Sequence, residues 1–124
     1  MPSRPRLRDM LSVTLPIRAE SVSNLREHWA KRASRAKLHR STAYACLRSV
    51  DHGLLPTCPM VVKLTRIAPR QLDDDNLRGA LKAARDGVAD WLGVPDNDPR
   101  VRWDYAQEKG KPKTYAVRVE VAPC

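Results

Sequence analysis

Apolar and polar residues alternate with a period of two in the first part of the chain. The alternating apolar positions are Leu11, Val13, Leu15 and Ile17. This pattern predicts a half-buried strand, and Pro16 places that strand at a sheet edge or near its own end. The β-branched run Met60–Ile67 contains no glycine or proline and predicts a central strand.

Two longer segments have the periodicity of amphipathic helices. The first, from Ser23-Asn24 to about Val50, has an apolar stripe and a strongly basic outer surface. Arg40 interrupts that stripe, which indicates a break near Ser41-Thr42. The second has a wide apolar stripe from Leu77 to Leu92, and Gly93 ends it.

The end of the chain contains two more alternating segments, Val101–Tyr105 and Tyr115–Val121. Their polar connector, Glu108–Lys113, predicts a β-hairpin with an exposed tip. The element order is then β-α-β-α-β-β, which predicts an α+β (mixed α/β) fold with the helices packed on one mixed sheet. We expect a basic arm at 1–10 and a single domain at 11–124.

The amino-acid composition indicates what kind of partner the protein binds. The 124 residues include 23 Lys+Arg against 14 Asp+Glu, a formal net charge of +9. A small basic domain of this kind usually binds a polyanion, and the alternative is a basic protein that is merely soluble. The excess lies at residues 1–50 and 99–124, whereas residues 51–98 have 6 basic and 8 acidic side chains. This distribution indicates an anionic metal-holding centre framed by phosphate-attracting surfaces, or chance clustering.

Several other chemistries lack their sequence signals. The basic start has no apolar run behind it, and no stretch reaches the ~20 apolar residues of a membrane span. The three cysteines are widely spaced and predict neither a disulfide framework nor a zinc site, so we expect a cytoplasmic protein. There is no glycine-rich phosphate loop and no GxSxG motif, and the three histidines lack a metal-ligand spacing.

The candidate chemistry lies in the acidic run Asp73–Asn76, between the central strand and the second helix. Such carboxylates either hold a divalent metal, as Mg²⁺ prefers oxygen ligands, or cap the helix. Asp96 and Asp98 follow the same helix, whose length of roughly 24 Å separates the two groups unless the chain folds back or two copies meet. A calcium EF-hand is excluded because the sixth position from Asp73 is not glycine.

Three cations, Arg78, Lys82 and Arg85, lie along the second helix. A cation beside a metal–phosphate site stabilises charge developing on the phosphate. Alternatively, Lys82 forms an ordinary surface pair with Asp86, four residues on.

The run Asp73-Asp74-Asp75-Asn76-Leu77, preceded by a strand and Arg70, resembles the D-x-D-N-L motif of the RusA-type Holliday-junction resolvases. Lys82-Ala83-Ala84-Arg85-Asp86 is similar to a helical segment of that family. The loop from Asp96 to Val101 resembles its second acidic loop, with Asp98 as the better match. The resemblance covers about residues 59–121.

This resemblance implies a homodimeric, Mg²⁺-dependent endonuclease of phage or prophage type, with Mn²⁺ as a substitute, that cleaves four-way DNA junctions in recombination and repair. Asp73, Asp75 and Asp98 would be the catalytic metal ligands, and Lys82 a further catalytic residue. The DNA backbone would be contacted by basic residues, namely Arg70, Arg78, Lys82, Arg85, Lys109, Lys111 and Lys113.

Two features depart from the family pattern. The family lysine one turn after the asparagine is replaced here by Gly79, and Lys82 follows a turn later. The gap from Asp75 to Asp98 is also longer than is usual. Gly79 in place of the lysine favours the alternative of a non-catalytic nucleic-acid-binding protein with the resolvase fold. A third interpretation is a basic protein-interaction module.

Overall fold

Four strands and two helices make up the secondary structure in the computed structural model, which describes residues 11–20, 29–50 and 59–123. In chain order these elements are β1 (Leu11–Leu15), α1 (Trp29–Val50), β2 (Met60–Ala68), α2 (Asp74–Leu92), β3 (Val101–Lys109) and β4 (Ala116–Pro123). The strands form one mixed sheet in the order β1-β4-β2-β3. This confirms the predicted α+β fold with the element order β-α-β-α-β-β.

The predicted hairpin of the last two strands is wrong. β3 pairs in parallel with β2, whereas β4 lies between β1 and β2 and is antiparallel to both. Burial explains the central position of β4. Its apolar side chains Val117, Val119 and Val121 are 0–2% exposed, and a strand between two others is better covered than a strand at the sheet edge. The alternation pattern and the polar connector are local signals that do not distinguish the two pairings.

Both helices pack on one face of the sheet. The side chains of β2 that point to this face are at even-numbered positions, and Met60, Val62 and Leu64 among them are fully buried. They belong to the same hydrophobic core as the apolar stripe of α2, which includes Leu81, Val88 and Leu92. Neither described helix has the length and apolar content needed to cross a bilayer.

α1 is continuous through Ser41, so the break predicted there does not occur. The Ser41 hydroxyl donates a hydrogen bond of 2.9 Å to the carbonyl of Lys37, within the preceding turn. The interrupting Arg40 instead forms a two-pronged ion pair with Asp90 of α2, at 2.7 and 2.8 Å. The predicted helix start at Ser23-Asn24 and the arm at 1–10 lie outside the described residues.

The two helices touch most closely at Gly87. A Cβ atom at this position would overlap the carbonyl oxygen of Arg40 and lie 2.7 Å from the Ala43 Cβ atom. Two turns earlier, Gly79 has no atom within 4 Å of its own Cβ position. The helices therefore meet around Gly87 and stand apart around Gly79.

Candidate functional site

The acidic run lies where β2 ends and α2 begins. Asp73 is the N-cap of α2, and its Oδ1 accepts a 2.9 Å hydrogen bond from the backbone N–H of Asn76. Asp74 and Asp75 occupy the first helical turn, and all three aspartates are exposed. Capping therefore accounts for one carboxylate, and two further negative charges remain at the same helix end.

Two side chains from elsewhere in the fold hold the segment that leads to these aspartates. The Gln107 amide of β3 donates to the carbonyl of Leu72 at 2.7 Å and accepts from its N–H at 2.8 Å. The buried Arg66 guanidinium donates to the carbonyls of Arg70 and Ala19, at 2.6 and 2.7 Å. The start of α2 is thus fixed to the sheet on both sides.

The sequence patterns predicted a role at the site for neither Arg66 nor Gln107. Arg66 occupies an inward-facing position of a central strand, and a charge there is unusual enough to be a signal. Gln107 has no such signal, since a glutamine near a strand end is ordinary and its partner is the backbone 35 residues away.

The two aspartates of the loop after α2 face different partners. Asp98 accepts from the Arg100 side chain at 2.8 Å and from its backbone N–H at 2.9 Å. The Arg100 hydrogen bonds lower the pKa of Asp98 to about 2. Asp96 instead turns toward α2, where it lies 3.1 Å from Lys82 Nζ and 3.3 Å from Arg85 Nε. Its pKa is also lowered, mainly by the hydrogen bond from Lys82.

Within one chain, the structure does not bring Asp98 to the acidic run. The backbone N–H of Val101, at the start of β3, bonds to the carbonyl of Asp98, whereas Leu72 is held at Gln107, near the other end of that strand. Val101 and Gln107 are about 20 Å apart along β3 at ~3.3 Å per residue. Accordingly, the described residues contain no group of three His, Cys, Asp or Glu side chains arranged to hold a metal ion.

Lys82 and Arg85 are both engaged in contacts within the chain. Lys82 Nζ lies 2.7 Å from Asp86 Oδ1. The surface pair with Asp86, which the sequence offered as the alternative role of Lys82, is therefore present together with the contact to Asp96. These partners, Asp86 first, raise the pKa of Lys82. Arg85 donates to the Tyr105 hydroxyl at 2.6 Å, and its guanidinium lies 4.7 Å from the Trp103 ring centroid. It also donates to the Asp96 carbonyl at 3.0 Å, so it joins both α2 and the loop to β3.

The other predicted DNA-contacting cations lie on the surface. Arg70 and Arg78 flank the acidic run and are exposed. Lys109, Lys111 and Lys113 are exposed at the connection between β3 and β4. These five side chains are accessible to a polyanion in a way that Arg85 is not.

A small cavity of about 270 Å³ lies between the first turns of α2 and the edge strand β3. Asp74, Leu77 and Arg78 line its helical side. Trp103 and Tyr105 point toward the helix from β3, whereas the Asp104 side chain alternates to the other sheet face, where it lies 3.3 Å from Arg102. The cavity therefore opens beside a carboxylate and an arginine of α2.

The comparisons with known proteins identify a relative but no activity. No family model matches the chain. An uncharacterized protein of Xylella fastidiosa (strain Temecula1) is 34% identical over an alignment of 100 residues, and the alignment covers 73% of this chain. The match spans 63% of that relative's length, so the chain corresponds to under two thirds of it.

Proposed function

We propose that the chain is a Mg²⁺-dependent, structure-selective endodeoxyribonuclease that cleaves branched DNA and belongs with the RusA-type resolvases. The observation that carries the proposal is the exposed acidic run Asp73–Asp75 at the end of β2 and the start of α2. Three consecutive carboxylates at one helix end exceed what capping requires, and they lie on a chain of net charge +9. Such a carboxylate centre on a basic domain suits a metal ion and a phosphodiester.

The residues at this position fit the chemistry of a magnesium site. Mg²⁺ binds through one or two protein carboxylates and keeps several waters or substrate phosphate oxygens. Asp73 and Asp75 offer hard oxygen ligands, and Gln107 and Arg66 fix the backbone that carries them. When bound, the metal would activate water and stabilise the attacking and leaving oxygens of the phosphodiester.

The cations around the run have a separate task, which is to hold the DNA backbone. Exposed Arg70 and Arg78 lie on either side of the carboxylates and offset their repulsion of phosphate. The exposed lysines at 109, 111 and 113 extend this basic surface. Lys82, tied to Asp86 and Asp96, would act by holding the second acidic loop in place.

The resemblance implies that a carboxylate of the loop after α2 joins the acidic run at the metal site. Two arrangements of the chain would allow this. Asp98 lies at the other end of β3 from the run, so it would join from a second copy in a homodimer. Asp96 contacts α2 at Lys82, about 10 Å along the helix from Asp75 at 1.5 Å per residue, so it would serve within one chain after moving that far toward the run. Mixing the variants Asp75→Asn and Asp98→Asn distinguishes them, because a site shared between copies regains one intact centre in the mixed dimer and nicks the junction. A site that uses Asp96 within one chain does not depend on Asp98, so Asp98→Asn should then cleave the junction by itself, before any mixing, whereas Asp96→Asn should not.

The primary test is cleavage of a labelled four-way junction by Asp75→Asn, with Mg²⁺ and with EDTA. We expect the wild-type protein to nick the junction only with metal. The variant should lose at least about 100-fold in rate while binding the junction as before. Asp90→Asn is the matched control, because it removes an exposed carboxylate of α2 near the opposite end of that helix. Wild-type cleavage by Asp75→Asn would refute the assigned centre.

A second function, non-catalytic binding of nucleic acid, is favoured by Gly79. The family lysine is missing there, the space around the position is open, and Lys82 is held by two aspartates. This alternative predicts salt-sensitive DNA binding without nicking under any metal. Gly79→Lys sharpens the choice, since it should confer Mg²⁺-dependent nicking if the missing cation alone prevents it.

A further inference from the structure

A second concave surface, which does not include the acidic run Asp73–Asp75, lies between α1 and α2. It encloses about 400 Å³, at the lower end of the ~300–1,000 Å³ typical of small-molecule clefts. Its floor is formed by small residues of both helices, Ala33, Ala36, Gly79, Ala80 and Ala83. We call it the helix groove.

The groove exists because the two helices diverge from their contact at Gly87. The apolar stripe of α1 is buried at Ala43 and Leu47, which are 0% exposed. The same stripe continues to Trp29, Ala33 and Ala36, all of which are exposed. The sequence thus maintains an apolar face on α1 beyond the point where α2 covers it.

The charge of the groove favours an anionic ligand. α1 contains six basic residues and no acidic residue, and its Arg32 and Arg35 line the groove. The acidic residues that line it are already paired, Asp86 with Lys82 at 2.7 Å and Glu20 with Arg18 at 2.7 Å. A second α1 helix, being equally basic, would be repelled from this surface.

Trp29 provides the other component at the mouth of the groove. Its side chain is 72% exposed, and an exposed indole beside arginines is a stacking platform for a nucleobase. His39 lies deeper in the groove, where burial and the neighbouring Arg35 lower its pKa. At neutral pH the positive charge of the groove therefore comes from Arg32, Arg35 and Lys82 rather than from His39.

We propose that the helix groove binds an unpaired nucleotide of a nucleic acid, with the base stacked on Trp29 and its phosphates beside Arg32 and Arg35. Bases in a duplex are already stacked on one another, so this site selects single-stranded or junction-flanking nucleotides. The inference rests on the proposed DNA substrate, but it concerns binding and needs neither metal nor cleavage.

The test is performed in EDTA with the full chain, a labelled oligothymidylate of about 12 nucleotides, and a duplex of the same length. Trp29→Ala should weaken binding of the single strand about tenfold and leave duplex binding within about twofold. Trp29→Phe, which keeps an aromatic ring, should retain most of the affinity. Leu38→Ala is the matched control, because Leu38 is also exposed on α1 but on its opposite side.

Two further readouts separate stacking from simple charge. The single strand should quench tryptophan fluorescence in the wild type and much less in Trp29→Phe, since Trp91 is buried and Trp103 half-buried. Replacing Arg32 and Arg35 by alanine should reduce the salt dependence of binding, by about 0.7 in logarithmic slope per lost phosphate contact.

The opposite results would overturn the inference. Unchanged single-strand affinity in Trp29→Ala does so, and so does an equal loss on both DNAs. A lowered unfolding midpoint without a binding change would show that the indole packs against the protein itself. Because no metal is present, a failure of junction cleavage leaves the result intact, and selective loss in Trp29→Ala would then support the non-catalytic alternative.

Discussion

The helix pair α1–α2 is closed at one end and open at the other. In the closed half, Gly87 lets the backbone of α1 approach at Arg40, and Arg40 reaches across to Asp90. In the open half, Gly79 faces empty space and Trp29 is largely exposed. Both halves belong to the same two helices and carry the same kind of apolar stripe.

The difference separates the part of the pair that stabilises the fold from the part available for binding. The closed half brings Ala43 against Gly87 of α2 and buries Leu47 in the common core, so a change of side-chain volume there acts on the whole core. The open half carries the exposed carboxylates, the helix groove and most of the cations of α1. A substitution there should change binding or catalysis with little cost in stability.

The largest effect should come from Gly87→Ala. The added methyl group would overlap the Arg40 carbonyl and crowd Ala43, which forces the helices apart. We expect a loss of about 1–3 kcal/mol in the free energy of unfolding, measured by urea denaturation. A variant as stable as the wild type would show that the helices do not touch at this position.

Gln107→Leu should have the next largest effect. It removes both hydrogen bonds to the half-buried backbone of Leu72, at a cost of about 1–2 kcal/mol. Hydrogen exchange at the Leu72 amide should accelerate, as the start of α2 loosens from the sheet. Gln71→Leu is the control, because Gln71 is an exposed neighbour. Unchanged exchange at Leu72 would contradict the assigned role.

Gly79→Ala should stabilise the protein, in contrast to the same change at Gly87. Nothing lies within 4 Å of the new methyl group, and alanine is favoured over glycine inside a helix by about 0.5–1 kcal/mol. Urea denaturation would measure the gain directly. Destabilisation by Gly79→Ala would mean that the open half closes in solution.

The smallest effect should come from Asp90→Asn, which weakens the clamp to Arg40. Because Arg40 is 52% and Asp90 38% exposed, solvent screening limits the loss to about 0.5 kcal/mol at neutral pH. The hydrogen bond from Arg40 lowers the pKa of Asp90 below the ordinary value of an aspartate. The stabilisation is therefore present above about pH 4 and disappears as the pH falls through the lowered value. Wild type and variant should converge in acid unfolding, and a constant difference would argue against the ion pair.

Much of the secondary structure follows from local periodicity. The stripe of α2 and the run in β2 predicted their elements because burial of one face, or of both, imposes a period on the sequence. The order of the strands does not follow from such signals. The positions of Val117, Val119 and Val121 fit a hairpin with β3 as well as the observed place between β1 and β2, and only the competition for burial decides between them.

The candidate site was predictable in part for the same reason. The acidic run is local, so its place between β2 and α2 could be derived from the sequence. Whether Asp96 or Asp98 approaches it depends on how the loop folds back, and the family resemblance favoured Asp98. The loop carboxylate that contacts the cations of α2 is Asp96, held there by contacts that no spacing rule contains.

The central position of β4 has a consequence for folding. This strand is the last of the described elements in chain order, yet it supplies the hydrogen-bonded neighbour of both β1 and β2. The pair β1–β4 joins residues about as far apart in sequence as the described chain allows, for example Leu11 and Val121. Such non-local pairing slows folding. During synthesis on the ribosome, the sheet therefore stays divided, with open strand edges on both parts, until the final strand has emerged.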